Sequence, residues 1–139
     1  MNQANGSVSI LPMLRNTIWR SGPARSTDGS VVVSLTDYTA HKWRDLPGVW
    51  RSGLRLARSW PRRQGSVGLW LWADPLRRRS GSISIWTNEE DLQRFVRWPV
   101  HVAIMRKYRS RGTLTASSWD AERFDRAEVL REAERRLLR

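Results

Sequence analysis

The hydrophobic pattern changes period several times along the chain, and each change marks a predicted element. Val31-Val32-Val33-Ser34-Leu35 is a β-branched run opened by Asp28-Gly29, which predicts a first core strand. From about His41 to Ser59, Leu46, Val49, Trp50, Gly53, Leu54, Ala57 and then Trp60 recur at three- and four-residue spacing and predict a helix. Pro47 suits its first turn, Asp45 lies near the cap, and Pro61 with Arg62-Arg63-Gln64-Gly65 closes it. Ser66 to Ala73 predicts a second strand with two apolar sides: Val67, Leu69 and Leu71 on one, Trp70 and Trp72 on the other. A sheet with one wet face alternates apolar and polar residues, so this strand needs cover on both sides. The run Asp74 to Gly81 predicts a hairpin connection into a third strand, Ser82 to Trp86, where Ile83 and Ile85 share one side and Ser84 and Trp86 the other.

Thr87 or Asn88 then caps a helix whose first turn holds Glu89, Glu90 and Asp91, acids favoured at the positive end of a helix dipole. Leu92, Phe95 and Val96 form its apolar stripe. Pro99 predicts a break before Val100, His101, Ile104, Met105 and Tyr108, and Gly112 ends the helical region. Thr113 to Trp119 is a fourth strand, with Leu114 and Ala116 on one side and Thr115, Ser117 and Trp119 on the other. Asp125 to Arg139 is an amphipathic helix with Val129, Leu130, Ala133, Leu137 and Leu138 as its stripe.

The order β-α-β-β-α-β plus a terminal helix predicts an α+β, ferredoxin-like fold. The expectation is one domain over residues 31–139, preceded by an arm or extra strand over 1–30 that contains the apolar patch Val8 to Leu14. Two helices are expected over the side formed by Val67/Leu69/Leu71, Ile83/Ile85 and Leu114/Ala116. That leaves a second face carrying Val32, Ser34, Trp70, Trp72, Ser84, Trp86, Thr115, Ser117 and Trp119. So much aromatic and hydroxyl surface implies a cavity lining or a binding face.

Composition narrows the setting. The chain has 139 residues, 40% of them hydrophobic, which suffices for one core. It has no cysteine, so disulfides and thiolate metal sites are excluded and a reducing, cytoplasmic setting is expected. No apolar run approaches the ~20 residues that span a bilayer, and the first residues lack the make-up of a secretory signal. No membrane partner is expected. Net charge is +12, yet Lys42 and Lys107 are the lysines and the arginines are scattered through every segment. Codon bias in a GC-rich genome and a selected basic surface account for this equally well. A Ser/His/Asp arrangement, a phosphate-binding glycine loop and a metal-ligand cluster are all missing, which disfavours hydrolase and nucleotide-dependent readings.

Several residues taken together carry a resemblance. Ser84-Ile85-Trp86, Glu90-Asp91-Leu92 with Phe95, Pro99-x-His101, Met105-Arg106-Lys107-Tyr108-Arg109 with Gly112, and Ser118-Trp119 are similar to the dimeric α/β-barrel superfamily. Within it the chain resembles the bacterial spheroidene-monooxygenase-like branch of the antibiotic-biosynthesis-monooxygenase-like group, from about Gly65 to Arg139. The resemblance implies a homodimer whose facing sheets cover Trp70 and Trp72, and a pocket for flat or long apolar molecules such as polycyclic aromatics or polyenes. It also implies one of two chemistries: oxygenation without metal or organic cofactor, or haem held by a histidine on the second helix, where His101 lies.

The expected function is therefore a small dimeric monooxygenase-like enzyme of secondary metabolism. His101 and Tyr108 are the catalytic candidates. Ser34, Trp70, Trp72, Ser84, Trp86, Trp98, Thr115 and Trp119 are the substrate-binding candidates. No cofactor is the favoured expectation, with haem on His101 as the alternative. His101 can equally be a helix histidine that packs or hydrogen-bonds. Trp50 and Trp60 belong to the helical stripe and are expected in the core. Arg77-Arg78-Arg79 and the Arg106 to Arg111 run are expected to be solvated, and His41 to lie on the surface. Tyr38 and Tyr108 can each donate to a quinone or phenolate oxygen. A cyclase or isomerase could use the same pocket. A non-catalytic dimeric partner and an RNA- or single-stranded-DNA-binding module stay open, although the basic/aromatic string of RNA-recognition domains is missing.

Overall fold

A computed structural model describes residues 17–25 and 29–138. The patch Val8 to Leu14 lies outside the described residues. The elements are β1 (Ile18–Ser21), β2 (Val31–Ala40), α1 (Leu46–Arg58), β3 (Ser66–Asp74), β4 (Arg79–Trp86), α2 (Glu89–Val96), α3 (Pro99–Tyr108), β5 (Gly112–Ala121) and α4 (Arg126–Leu137). The strands form one antiparallel sheet in the order β1-β3-β4-β2-β5. This is the expected α+β, ferredoxin-like arrangement with one strand added at an edge.

The local signals explain most boundaries. Pro47 sits in the first turn of α1, after a short 3₁₀ turn at Trp43–Asp45. Asp45 does not cap that helix through its side chain; its carboxylate meets Arg111 Nη1 at 3.1 Å. Asn88 caps α2, its Oδ1 accepting from Asp91 N at 2.8 Å. Pro99 starts α3 anew, because Trp98 is extended (ψ 130°) and the helix cannot run through it. Asp125 caps α4 by accepting from Glu128 N at 3.2 Å.

Strand register departs from the expectation. A bulge between Ser66 and Gly68 shifts β3, so that Leu69 lies opposite Ser84 and Trp70 opposite Ile83. A one-residue slip exchanges the faces of a strand. Leu69 and Leu71 therefore share a side with Val32, Ser84 and Trp86, beneath Ala57, Trp60 and Leu92 of the helical layer. Val67, Trp70, Trp72, Ile83 and Ile85 share the other side with Val31, Val33 and Leu35.

That second side is not open. Val129, Ala133 and Leu137 of α4 pack directly on it, and Trp19, Phe124 and Trp119 close its margin. Trp19 lies 4.6 Å from Trp70 between ring centroids, and Phe124 lies 6.0 Å from both. The cover expected from a partner's sheet is supplied by the chain's own last helix. Arg79 fastens it: Nη2 contacts Asp37 Oδ2 at 2.6 Å and donates to Leu137 O at 3.1 Å. In the expected hairpin tip, only Arg77 is well exposed, while Arg78 Nε donates to Ala40 O at 2.9 Å and Arg79 is largely buried.

Candidate active site

The helical layer does not close tightly over the sheet. Between α1, α3 and the end of α2 above, and β2, β3 and β4 below, lies a cavity of about 670 Å³. Its sheet wall holds Thr36, Tyr38, Leu69, Leu71 and the alternate β4 serines Ser80, Ser82 and Ser84. Trp50, Gly53 and Leu56 of α1 form one helical wall; Ile104, Met105 and Tyr108 of α3 form the other. Trp60 and Phe95 lie at one end, their rings 5.0 Å apart and edge to face. The volume and mainly apolar lining fit a small-molecule site with a few polar groups.

His101 is held at that end by the helix break. Ending α2 at Val96 leaves the Val96 carbonyl without its helical partner, and His101 Nδ1 lies 3.1 Å from it. A carbonyl only accepts, so Nδ1 carries the proton and Nε2 holds the lone pair. The ring lies 4.7 Å from that of Phe95. Burial lowers the imidazole below its ordinary pKa, and the bond to Val96 O offsets this only in part. His101 is therefore neutral at neutral pH, with Nε2 unprotonated and a cavity beside it.

The opposite end is built from the two tyrosines. Tyr38 OH donates to Tyr108 O at 2.9 Å, and the rings meet edge to face at 6.4 Å. Burial raises the Tyr38 pKa, with smaller contributions from Asp45 and Tyr108 opposed by Arg111, so the phenol keeps its proton. Gly48 and Gly112 admit these side chains; a Cβ on either would collide with Tyr108 Oη or with the Tyr38 ring. Arg106 of α3 and Arg109 at its C-cap also line the cavity and are exposed, giving it a cationic margin.

Of the residues singled out by sequence, His101, Tyr108 and Ser84 come together on this cavity. Tyr38, expected as a possible donor, lines it too, and the other substrate-binding candidates do not. Ser34 shares the sheet side but lies off the wall, and Trp86 packs behind Trp60 with centroids 5.4 Å apart. Trp70 and Trp72 lie under α4, 4% and 0% exposed. Thr115 and Trp119 share that opposite face, where Arg136 lies 4.4 Å above the Trp119 ring. Trp98 lies outside, under the Arg63 guanidinium at 3.9 Å. Trp60 is fully buried, as expected of a core residue, yet it and Trp50 also border the cavity. Thr36, Ser80, Ser82, Leu69, Leu71 and Phe95 were not anticipated as wall residues. The alternation Ser80, Ser82, Ser84 was the one signal that could have revealed them.

The fold occurs in solved structures. A monooxygenase-like protein of Lactobacillus acidophilus superposes with a TM-score of 0.58 at 12% identity, over 78% of this chain and 54% of its own, so this chain spans about half of it. SnoaB of Streptomyces nogalater, a cofactor-independent oxygenase, gives 0.53 at 19% identity over 67% of this chain and 94% of its own. The chain has the fold of the antibiotic-biosynthesis monooxygenase-like proteins. The heme-degrading enzyme LmHde of Listeria monocytogenes has this fold too, with a TM-score of 0.51 at 17% identity over 71% of this chain and 65% of its own. At such identities the likeness is one of fold. No protein-family model matches the sequence, and no curated protein matches it.

Proposed function

We propose that the protein is a small oxygenase that encloses a flat, largely apolar, ionisable substrate between sheet and helices and needs no cofactor. The observation that carries this reading is one neutral imidazole, its Nδ1 engaged by Val96 O, bordering an otherwise mainly apolar cavity. In this reading His101 Nε2 removes a proton from an activated C–H or phenolic O–H of the substrate. The charge spreads over the rings, and the anion passes one electron to dioxygen. The two radicals combine into a carbon–peroxide bond, His101 returns its proton, and loss of water leaves a carbonyl where a CH₂ stood. The protein supplies burial, orientation and donors to the developing oxyanion. Tyr108 is the proposed donor, because the Tyr38 proton is committed to a backbone carbonyl. A cyclase or isomerase would use the same proton removal without oxygen.

Haem is the second reading, favoured by the free Nε2. His101 would hold the iron and Arg106 and Arg109 the carboxylates, and the bound group would supply an iron centre for oxygen chemistry. The proposed assembly is a homodimer. Its support is the outer edge of β5, where Gly112 to Trp119 carries no charge and Leu114 is 40% exposed. A long, uncharged strand edge is a pairing surface unless something covers it.

One experiment separates these readings. Purified protein is given dithranol, an anthrone, and oxygen uptake and anthraquinone formation are followed, with His101→Ala alongside. Turnover above the uncatalysed rate, reduced about 100-fold or more in the variant, is expected. Proton exchange at the substrate without oxygen uptake would favour an isomerase. A Soret band after haem supplementation that His101→Ala abolishes would favour the haem reading.

A further inference from the structure

α1 and the turn after it carry charge of one sign. From Leu46 to Gly65 there are five arginines and no acid, although the chain has 13 acids in all. Arg51, Arg55 and Arg58 stand at i, i+4 and i+7, so they share one helix face over roughly 10 Å, and all three are exposed. Arg62 and Arg63 follow in a 3₁₀ turn and meet Arg97, from the end of α2, around a surface pocket of about 450 Å³ beside Trp98. Among the described residues, Arg51, Arg55, Arg58, Arg62 and Arg97 pair with no acid. Arg63 has only neutral partners: its Nε lies 3.4 Å from Ser59 O, and its guanidinium carbon stands 3.9 Å from the centroid of the Trp98 ring. Burial lowers the Arg63 pKa, and Arg62 beside it lowers it further. Arg94, on the same pocket, is offset by Asp91 and Glu90, and Arg135 and Arg136 of α4 share Glu132.

The helix dipole accounts for Arg55 and Arg58 in the last turn of α1, but not for Arg51. Codon bias multiplies arginine throughout a chain; it does not clear acids from one face. Like charges three and four residues apart destabilise a helix, and no acid of α1 offsets them. We propose that this face binds the phosphate backbone of a nucleic acid without reading its sequence. What the face lacks identifies the partner. None of the exposed large apolar residues lies between Arg51 and Arg63. A protein partner would need such residues for the core of an interface, and a membrane surface would need them for insertion. A phosphodiester backbone needs only cations, and the guanidinium fork matches its oxygens. The inference is independent of what occupies the cavity.

The test is fluorescence anisotropy of a labelled oligo(dT) of about 20 nucleotides and a labelled duplex of about 20 base pairs, titrated with the full chain between about 50 and 200 mM salt. A variant with Arg51→Gln, Arg55→Gln and Arg58→Gln is compared with one carrying Arg20→Gln, Arg123→Gln and Arg131→Gln. The second removes the same charge from exposed positions on β1, after β5 and on α4. The α1 variant is expected to lose affinity about 10-fold or more at roughly 100 mM salt, and the slope of log K against log salt to flatten by about 2, at ~0.7–0.9 for each phosphate contact removed. The other variant is expected to stay within about 2-fold of the unmodified protein. Binding of either nucleic acid with the loss confined to the α1 variant upholds the proposal, and the tighter of the two identifies the form. Equal loss in both variants, no binding by the unmodified protein at about 50 mM salt, or displacement of the oligonucleotide by polyglutamate at matched charge would each overturn it, the last in favour of an acidic protein.

Discussion

His101 joins local chain geometry to a chemical property. Because α2 stops at Val96, a carbonyl is left for Nδ1, and because the ring is then drawn among Phe95 and the cavity wall, burial lowers its pKa. The folded-state value lies below the unfolded value of ~6.5, so the unfolded chain binds more protons as pH falls. The stability tied to His101 is complete above that pH, declines through the window down to the depressed folded value, and is level below it. In His101→Gln this part of the decline is expected to vanish, as read from urea midpoints at about pH 7.5 and pH 5. An unchanged decline would mean that the imidazole is solvated. At this scale sequence singled out His101, Tyr108 and Ser84, because a helix break and a strand alternation are local patterns. Ser80 falls within the predicted hairpin connection, since nothing local tells the last residue of such a connection from an early residue of a strand.

Among elements, α4 and the β3–β4 register determine which tryptophans can meet a ligand. Both sides of β3 are apolar, so hydrophobicity could not choose its orientation, and the bulge at Val67 settled it. Arg79 then joins three elements, pairing with Asp37 on β2 from its place on β4 and reaching the last turn of α4. Charge-assisted hydrogen bonds at such a part-buried site are worth more than those of a solvated arginine. Arg79→Met is expected to cost about 2 kcal/mol in urea unfolding and to speed amide exchange over Arg126–Leu137. If α4 keeps its protection in the variant, apolar packing alone holds it. The arginine run looked like a solvated tip because three consecutive charges usually are one. Only long-range pairing with Asp37 separates Arg79 from Arg77.

For the molecule as a whole, α4 also decides between readings of the charge. RNA-recognition domains stack bases on aromatics of an open sheet face. Here that face lies under α4, and Trp70 and Trp72 are buried. That face therefore offers no open aromatic platform on which bases could stack. No described helix is long and apolar enough to cross a membrane. The outer edge of β5, unpaired among the described residues, is where the proposed homodimer would form: light scattering should give twice the chain mass, and Leu114→Lys with Ala116→Glu should shift the protein toward one copy. A single-copy mass for the unmodified chain would remove the homodimer proposal. Sequence by itself determined the order of elements, the helix caps, the break at Pro99 and hence the ferredoxin-like fold, because these follow from periodicity and backbone sterics within a few residues. It also marked the imidazole. Only the tertiary structure decided which face each tryptophan occupies, that the chain covers its own sheet, and that Ser80 belongs to the cavity wall. Those depend on strand register and on the docking of a distant helix, which no local pattern encodes.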